Sequence, residues 1–181
     1  MLILGAPAIA KMAGEGALVA GSDKPIAKTS IGVCVRDAAT APDISSPDAF
    51  RRTLMDARVI ALSDPAVGGS AGTYLVGLWQ RMGLADEIDR KATLQKSGAE
   101  VARRVVEGSA DIGLTLIGEI ASVKGARVIG KLPPPFGLDT VYAGGVSTTS
   151  QEPKAAAAFI AALVHPDARE VWATAGFEPG A

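Results

Sequence analysis

The stretch S-G-A-E-V-A-R-R-V-V-E-G-S-A-D-I-G-L-T-L-I, from Ser97 to Ile117, constrains the fold of this chain more than any other. Ala99, Ala102, Arg103, Val105 and Val106 recur at helical spacing, and Gly108 ends the helix they define. Ile112, Leu114, Leu116 and Ile117 follow as an apolar run, the pattern of a buried strand. A helix that turns directly into a buried strand is the repeating unit of layered α/β folds.

The rest of the chain alternates in the same way, which predicts an α/β fold with mostly parallel strands. Met1–Ala8 reads as a core strand at Leu2–Leu4, and Pro7–Ala13 as a helix entered through proline and ended by Gly14 and Gly16. Thr29–Val35 is the next strand. Ser46 and Pro47 have the residue types of an N-cap and a first helical position, opening a helix through Met55, and Arg58–Leu62 is again a buried strand. Ala85–Arg90 reads as a short acidic helix. Ala92–Gln95, Arg127–Gly130 and Thr140–Val146 are extended, and the prolines of Lys131–Gly137 make that segment a loop. Two helices close the chain: Lys154–Val164, with Ala156, Phe159, Ile160 and Leu163 on one face, and a shorter one after Pro166 that Gly176 ends.

Apolar residues are 48% of the 181, enough for one good core or two small ones, and nothing in the composition is disorder-like. The 18 Lys and Arg are balanced by 19 Asp and Glu, and only 4% of residues are aromatic. The chain therefore lacks both the basic footprint and the stacking platforms of a nucleic-acid binder. No apolar run approaches bilayer-spanning length. Cys34, the single cysteine, lies in the apolar Ile31–Val35 run and reads as a small buried thiol, with no internal disulfide open to it. His165, before Pro166, reads as a helix-junction residue; it has no partners at ligand spacing, so neither a metal nor a cofactor is expected.

Ser63-Asp64-Pro65-Ala66-Val67-Gly68-Gly69-Ser70-Ala71-Gly72-Thr73 runs from a strand into a helix with the apolar face Leu75, Leu78, Trp79 and Met82. Strand, glycine-rich loop and helix in that order aim free backbone N–H groups at an anion. A plain structural turn uses the same residues, with Gly68 and Gly69 supplying special dihedrals. No lysine follows the glycines, so the loop does not fit the pattern of nucleotide hydrolysis.

Three spaced motifs carry a family resemblance across Arg58 to Pro179: S-D-P-x-x-G-G-S-A-G before a helix, E-G-x-A-D-I-G before a strand, and the run from Phe159 to Pro179 that ends in G-F-E-P. Together they resemble molybdate-binding-protein-like extracellular solute-binding proteins. The resemblance implies a type II periplasmic-binding fold, in which two α/β lobes joined by two crossover strands close on a ligand between them. Residues 1–36 and 141–181 would form lobe one and residues 37–140 lobe two. Such a lobe one begins with a strand, a helix and a second strand, whereas this chain opens on what resembles the third strand, so lobe one is expected to be incomplete. A parallel sheet without its early strands exposes an edge, which a partner such as a second copy would cover.

Carried over by position, the resemblance places Ser63, Gly69, Ser70, Ala71, Gly72, Thr115 and Ile117 at the cleft, with Ile117 on the strand after A-D-I-G and Gly69 allowing close backbone approach. Tyr142, on the return crossing, would cap a ligand or serve as a core or hinge residue. The implied function is the substrate-binding component of an ABC-type transport system, meeting a membrane component and holding a small anionic or polar solute, a molybdate-like oxyanion or an organic acid, without chemistry. The implied location is the periplasm. The first residues carry no basic segment of a signal peptide, so a chain complete as given would be cytoplasmic.

Two other readings share the scaffold. An enzyme would draw on Asp64, Glu119 or Tyr142, although loop and strand-end acids are more often structural and no nucleophile–base pair is evident. A ligand-sensing domain of a transcription regulator would carry an N-terminal helix-turn-helix, for which the chain has no pattern.

Overall fold

The computed structural model describes residues 1–180. In chain order the elements are β1 (Leu2–Gly5), α1 (Ala6–Gly14), β2 (Lys24–Arg36), α2 (Pro47–Asp56), β3 (Ile60–Ser63), α3 (Ser70–Met82), α4 (Ala85–Lys91), β4 (Ala92–Gln95), α5 (Gly98–Val106) and β5 (Ile112–Leu116). They continue with α6 (Ile117–Ala121), β6 (Ala126–Lys131), β7 (Asp139–Gly145), α7 (Pro153–Leu163), α8 (Arg169–Thr174) and β8 (Glu178–Pro179), with short 3-10 turns at Pro65–Val67 and Pro166–Ala168.

The chain divides into two compact units, Met1–Thr29 with Asp139–Ala181, and Ser30–Leu138. The first division falls inside β2, ahead of the Arg36 boundary read from the sequence. The reason is pairing: Ile31–Cys34 lie against β5 and Gly32–Arg36 against β6.

In the first unit β1 runs antiparallel to β7, and Ala27 and Lys28 of β2 pair with β8. The expected core strand at Leu2–Leu4 is an edge strand instead, with Ile3 and Leu4 39% and 41% exposed. Ile9 of α1, Leu18 and Ala143 form a small core there, and Val146, Ala156 and Ile160 another.

The second unit is a sheet in the order β6-β2-β5-β3-β4. Only the β5-β3-β4 part is parallel, because α3, α4 and α5 carry the chain back between those strands; β2 runs against both β5 and β6. The sheet is therefore mixed rather than mostly parallel. Side chains alternate across it. Ile31, Val33, Ile60, Leu62, Ile112 and Leu114 face one core with Phe50 and Leu54 of α2 and Leu75, Leu78 and Trp79 of α3. Tyr74 Oη fixes α3 further by donating to the carbonyl of Phe136 at 3.1 Å.

The opposite face carries small residues in register. Cys34 pairs with Gly113, and Gly113 with Ala61. Val101, Ala102 and Val105 of α5 pack over this row. A Cβ at Gly113 would lie 2.9 Å from both Cys34 Sγ and Val101 Cγ1 and 3.0 Å from Val105 Cγ2, so only glycine seats α5 this closely. Ser97 caps α5, its hydroxyl accepting from Glu100 N–H at 3.3 Å, and Ser46 caps α2 in the same way.

Asp111 sets the start of β3. Its carboxylate accepts from Arg58 N–H at 2.8 Å and Val59 N–H at 3.2 Å and pairs with the Arg58 guanidinium at 2.9 Å. The guanidinium hydrogen bond, helped by the two backbone N–H groups, holds the Asp111 carboxyl below the usual carboxylate range against the opposing effect of burial. A depressed pKa contributes stability above the ordinary carboxyl range that is lost as pH falls through the folded value. Asp111→Asn should thus lower stability by about 1 kcal/mol at neutral pH and by less near pH 3, measured as denaturant midpoints of both proteins at the two pH values. An equal loss at both would show that the pairing does not set acid stability.

Candidate functional site

The candidate residues read from the sequence cluster where β3 and β5 of the second unit end. After Ser63, the carboxylate of Asp64 accepts from Ala66 N–H at 2.8 Å and so caps the turn Pro65–Val67. That gives Asp64 a structural role. Gly68 follows with a φ of 78°, and Gly69, at −71°, is the N-cap of α3. A side chain at Gly69 would meet open space, so no neighbour within the chain requires glycine there. The close approach is at Gly72, where a Cβ would come within 2.6 Å of the Ser63 carbonyl oxygen and 3.1 Å of the Asp64 carbonyl carbon. The first turn of α3 therefore rests directly on the end of β3, with Ala71 and Gly72 buried and Gly69 and Ser70 exposed.

No side chain caps α3 and its first turn holds no acid, which sets it apart from the other helices of the second unit. Helices α2 and α5 carry serine caps, and α4 and α6 carry acids in their first turns.

Beside it lies a chain of hydrogen bonds. Thr115, fully buried on β5, donates from Oγ1 to Glu119 Oε2 at 2.6 Å, and its oxygen lies 3.2 Å from Ser63 Oγ. Gly98 N–H, at the start of α5, donates to Glu119 Oε1 at 3.1 Å. Both carboxylate oxygens are thereby engaged. A Cβ at Gly98 would overlap the Glu119 carboxylate and the Thr115 hydroxyl, so the absence of a side chain there admits the acid.

The structure joins Ser63 to Thr115 through their hydroxyls and to Gly72 through its carbonyl, with Ala71 next to Gly72 in the chain and Gly69 and Ser70 exposed at the same turn. Ile117 differs from expectation: β5 ends at Leu116, and Ile117 is the first residue of α6, its side chain packed over Gly32. Tyr142 belongs to the first unit, on β7 opposite Gly5, with its ring edge-on to Phe177 at 6.1 Å. It lines an apolar cavity of about 180 Å³ with Trp172, Leu163 and Ile26. The anchoring of Glu119 on Gly98 was missed by sequence reasoning; the available signal was a glycine directly after the Ser97 cap.

Among the described residues no group of three His, Cys, Asp or Glu is placed to hold a metal ion. His165 accepts from Asp167 N–H at 3.4 Å, a turn-capping contact. Burial pushes the Cys34 thiol up to about 12. A groove of about 550 Å³ lies at the other end of β5, beside Asp111 and Ile112, and its Arg58 is already paired with Asp111.

The architecture is that of type II periplasmic-binding proteins. A substrate-binding domain assigned to a molybdenum ABC transporter of Clostridium difficile superposes with a TM-score of 0.79 at 18% identity, covering 98% of this chain and 75% of that one. The periplasmic molybdate-binding protein of Azotobacter vinelandii gives 0.67 at 18% identity, covering 94% of this chain and 74% of that one. The chain belongs to the bacterial extracellular solute-binding protein family, whose model matches residues 1–178. An aconitate isomerase from a Pseudomonas species is 33% identical over 176 residues, 95% of this chain, and this chain spans 64% of that relative's length.

Gly98→Ala should expel Glu119 from the α5 N-terminus. We expect a loss of about 1–3 kcal/mol in unfolding free energy, as for overpacking a tight site, together with large amide shift changes at Thr115 and Glu119 in the NMR spectrum. Unchanged shifts there would mean that Glu119 does not depend on the open space at Gly98.

Proposed function

We propose that the chain is the solute-binding component of an ABC-type transport system, located in the periplasm, and that it holds a small anionic or polar solute, an oxyanion or an organic acid, and releases it unchanged. The observation that supports this reading most is the start of α3: a helix N-terminus without an N-cap side-chain bond or a first-turn acid, seated on the carbonyl of Ser63, whose hydroxyl in turn meets that of Thr115. In this reading the first N–H groups of α3, those of Ala71 and Gly72 among them, face the negative charge. A membrane component of the transporter would receive the solute. A second copy pairing along the exposed edge of β1 remains part of the proposal.

A second reading is isomerisation of an unsaturated organic acid, favoured by the 33% identity with a protein named aconitate isomerase. Moving a double bond requires a base, and Glu119 is the acid nearest the Ser63–Thr115 pair. The fold by itself does not choose between the two.

Titration calorimetry with molybdate, succinate, malate and aconitate tests the first reading, and a spectroscopic assay for conversion between aconitate isomers tests the second. Heat without conversion supports passive binding; conversion abolished by Glu119→Gln would replace it. Ser70→Asp puts a carboxylate in the first turn of α3, which the helix accepts but an anion does not. Affinity should fall at least tenfold while the melting temperature stays within about 2 °C of wild type. Retained affinity, or an unfolded variant, would show the turn to be structural only.

A further inference from the structure

The direction of the hydrogen-bond chain beneath the site determines what kind of solute it takes. A carboxylate only accepts. Glu119 receives Gly98 N–H on Oε1 and the Thr115 hydroxyl on Oε2. Thr115 has one proton and it is given to Glu119, so in the Ser63–Thr115 contact at 3.2 Å the donor has to be Ser63. Its hydroxyl proton is thereby turned inward, and in the binding reading only its lone pairs are left for a solute. Ser63 is 7% exposed, so water satisfies those lone pairs poorly and a solute donor would be rewarded.

We propose that Glu119, acting through Thr115, fixes Ser63 as a hydrogen-bond acceptor and makes the site select acids that carry a hydroxyl donor beside their negative charge, hydroxy acids, over fully ionised oxyanions and over the same acid without the hydroxyl. The inference rests on the binding reading above and deepens it. The amides of α3 supply recognition of charge, and Ser63 supplies discrimination. Glu119 is a positioning residue here, because it touches the solute only through two other side chains.

Glu119→Gln reverses the chain without changing its shape. Gly98 N–H requires an oxygen, so the amide oxygen faces Gly98 and the NH2 donates to Thr115; the Thr115 proton then turns to Ser63, and the Ser63 proton turns outward. A hydroxyl that accepted becomes one that donates.

The probes are malate and succinate, which differ by one hydroxyl, and molybdate, titrated calorimetrically at one neutral pH into wild type, Glu119→Gln, Ser63→Ala and the double variant. Wild type should prefer malate to succinate by about three- to tenfold, the value of one net hydrogen bond. In Glu119→Gln that ratio should fall to about one and molybdate should bind several-fold more tightly. In Ser63→Ala the preference should be absent, and adding Glu119→Gln should change nothing further. A wild-type ratio retained in Glu119→Gln, or a Glu119→Gln effect that persists without Ser63, overturns the inference. If wild type binds none of the three, the binding reading fails for these solutes, and the inference is decided on the free protein. There the protected hydroxyl proton of Thr115 should lie downfield in the proton NMR spectrum and move upfield in Glu119→Gln; an unmoved resonance overturns it. Should Glu119→Gln not fold, Thr115→Val, which cuts the chain at its middle, must abolish the malate preference, and a retained preference overturns the inference equally.

Discussion

The row of small residues across the second unit's sheet, Cys34, Gly113 and Ala61, is the constraint on which the remaining geometry depends. Three neighbouring strands each present a small residue at one level, and α5 settles into the trough through Val101 and Val105. Burying two valines in full contributes on the order of 1.5–3 kcal/mol each, provided that nothing holds the helix away. The depth of that seat decides where the helix begins. Gly98 comes to the end of β5, its N–H reaches Glu119, and the Glu119–Thr115–Ser63 chain follows. A methyl group at Gly113 would act at the site without touching any residue in it, by lifting α5 from its bed.

Much of this was legible in the sequence where the determinants are local. Ser46 and Ser97 are caps because a hydroxyl there meets an N–H three residues on, whatever surrounds them. The apolar periods of α3 and α5 likewise depend only on the helix itself. What depended on distant partners was read less well. Strand β2 begins at Lys24 rather than Thr29, and its first residues pair with β8, whose two residues carry no strand pattern of their own. Leu2–Leu4 is apolar, yet at the sheet edge it has too few neighbours to be core. Ile117 extended an apolar run that periodicity alone cannot assign to strand or helix, and the chain turns there into α6.

The site divides along the same line. Ser63, Ala71 and Gly72 flank one loop, so strand, turn and helix in sequence were enough to group them. Thr115 joins through a strand pairing fixed by the apolar pattern. Glu119 and Gly98 are 21 residues apart and meet only because of how α5 lies. Within the A-D-I-G phrase, Asp111 pins the start of β3 and Gly113 admits α5.

The burial of Cys34 decides how its thiol would meet an oxidant. Thiol–disulfide exchange proceeds through the thiolate, and a thiol pushed up to about 12 beneath a packed helix supplies almost none. The single cysteine is thus insulated from mixed disulfides and from covalent dimerisation for as long as α5 stays down. An oxidised adduct at this position would be a record that the second unit had opened.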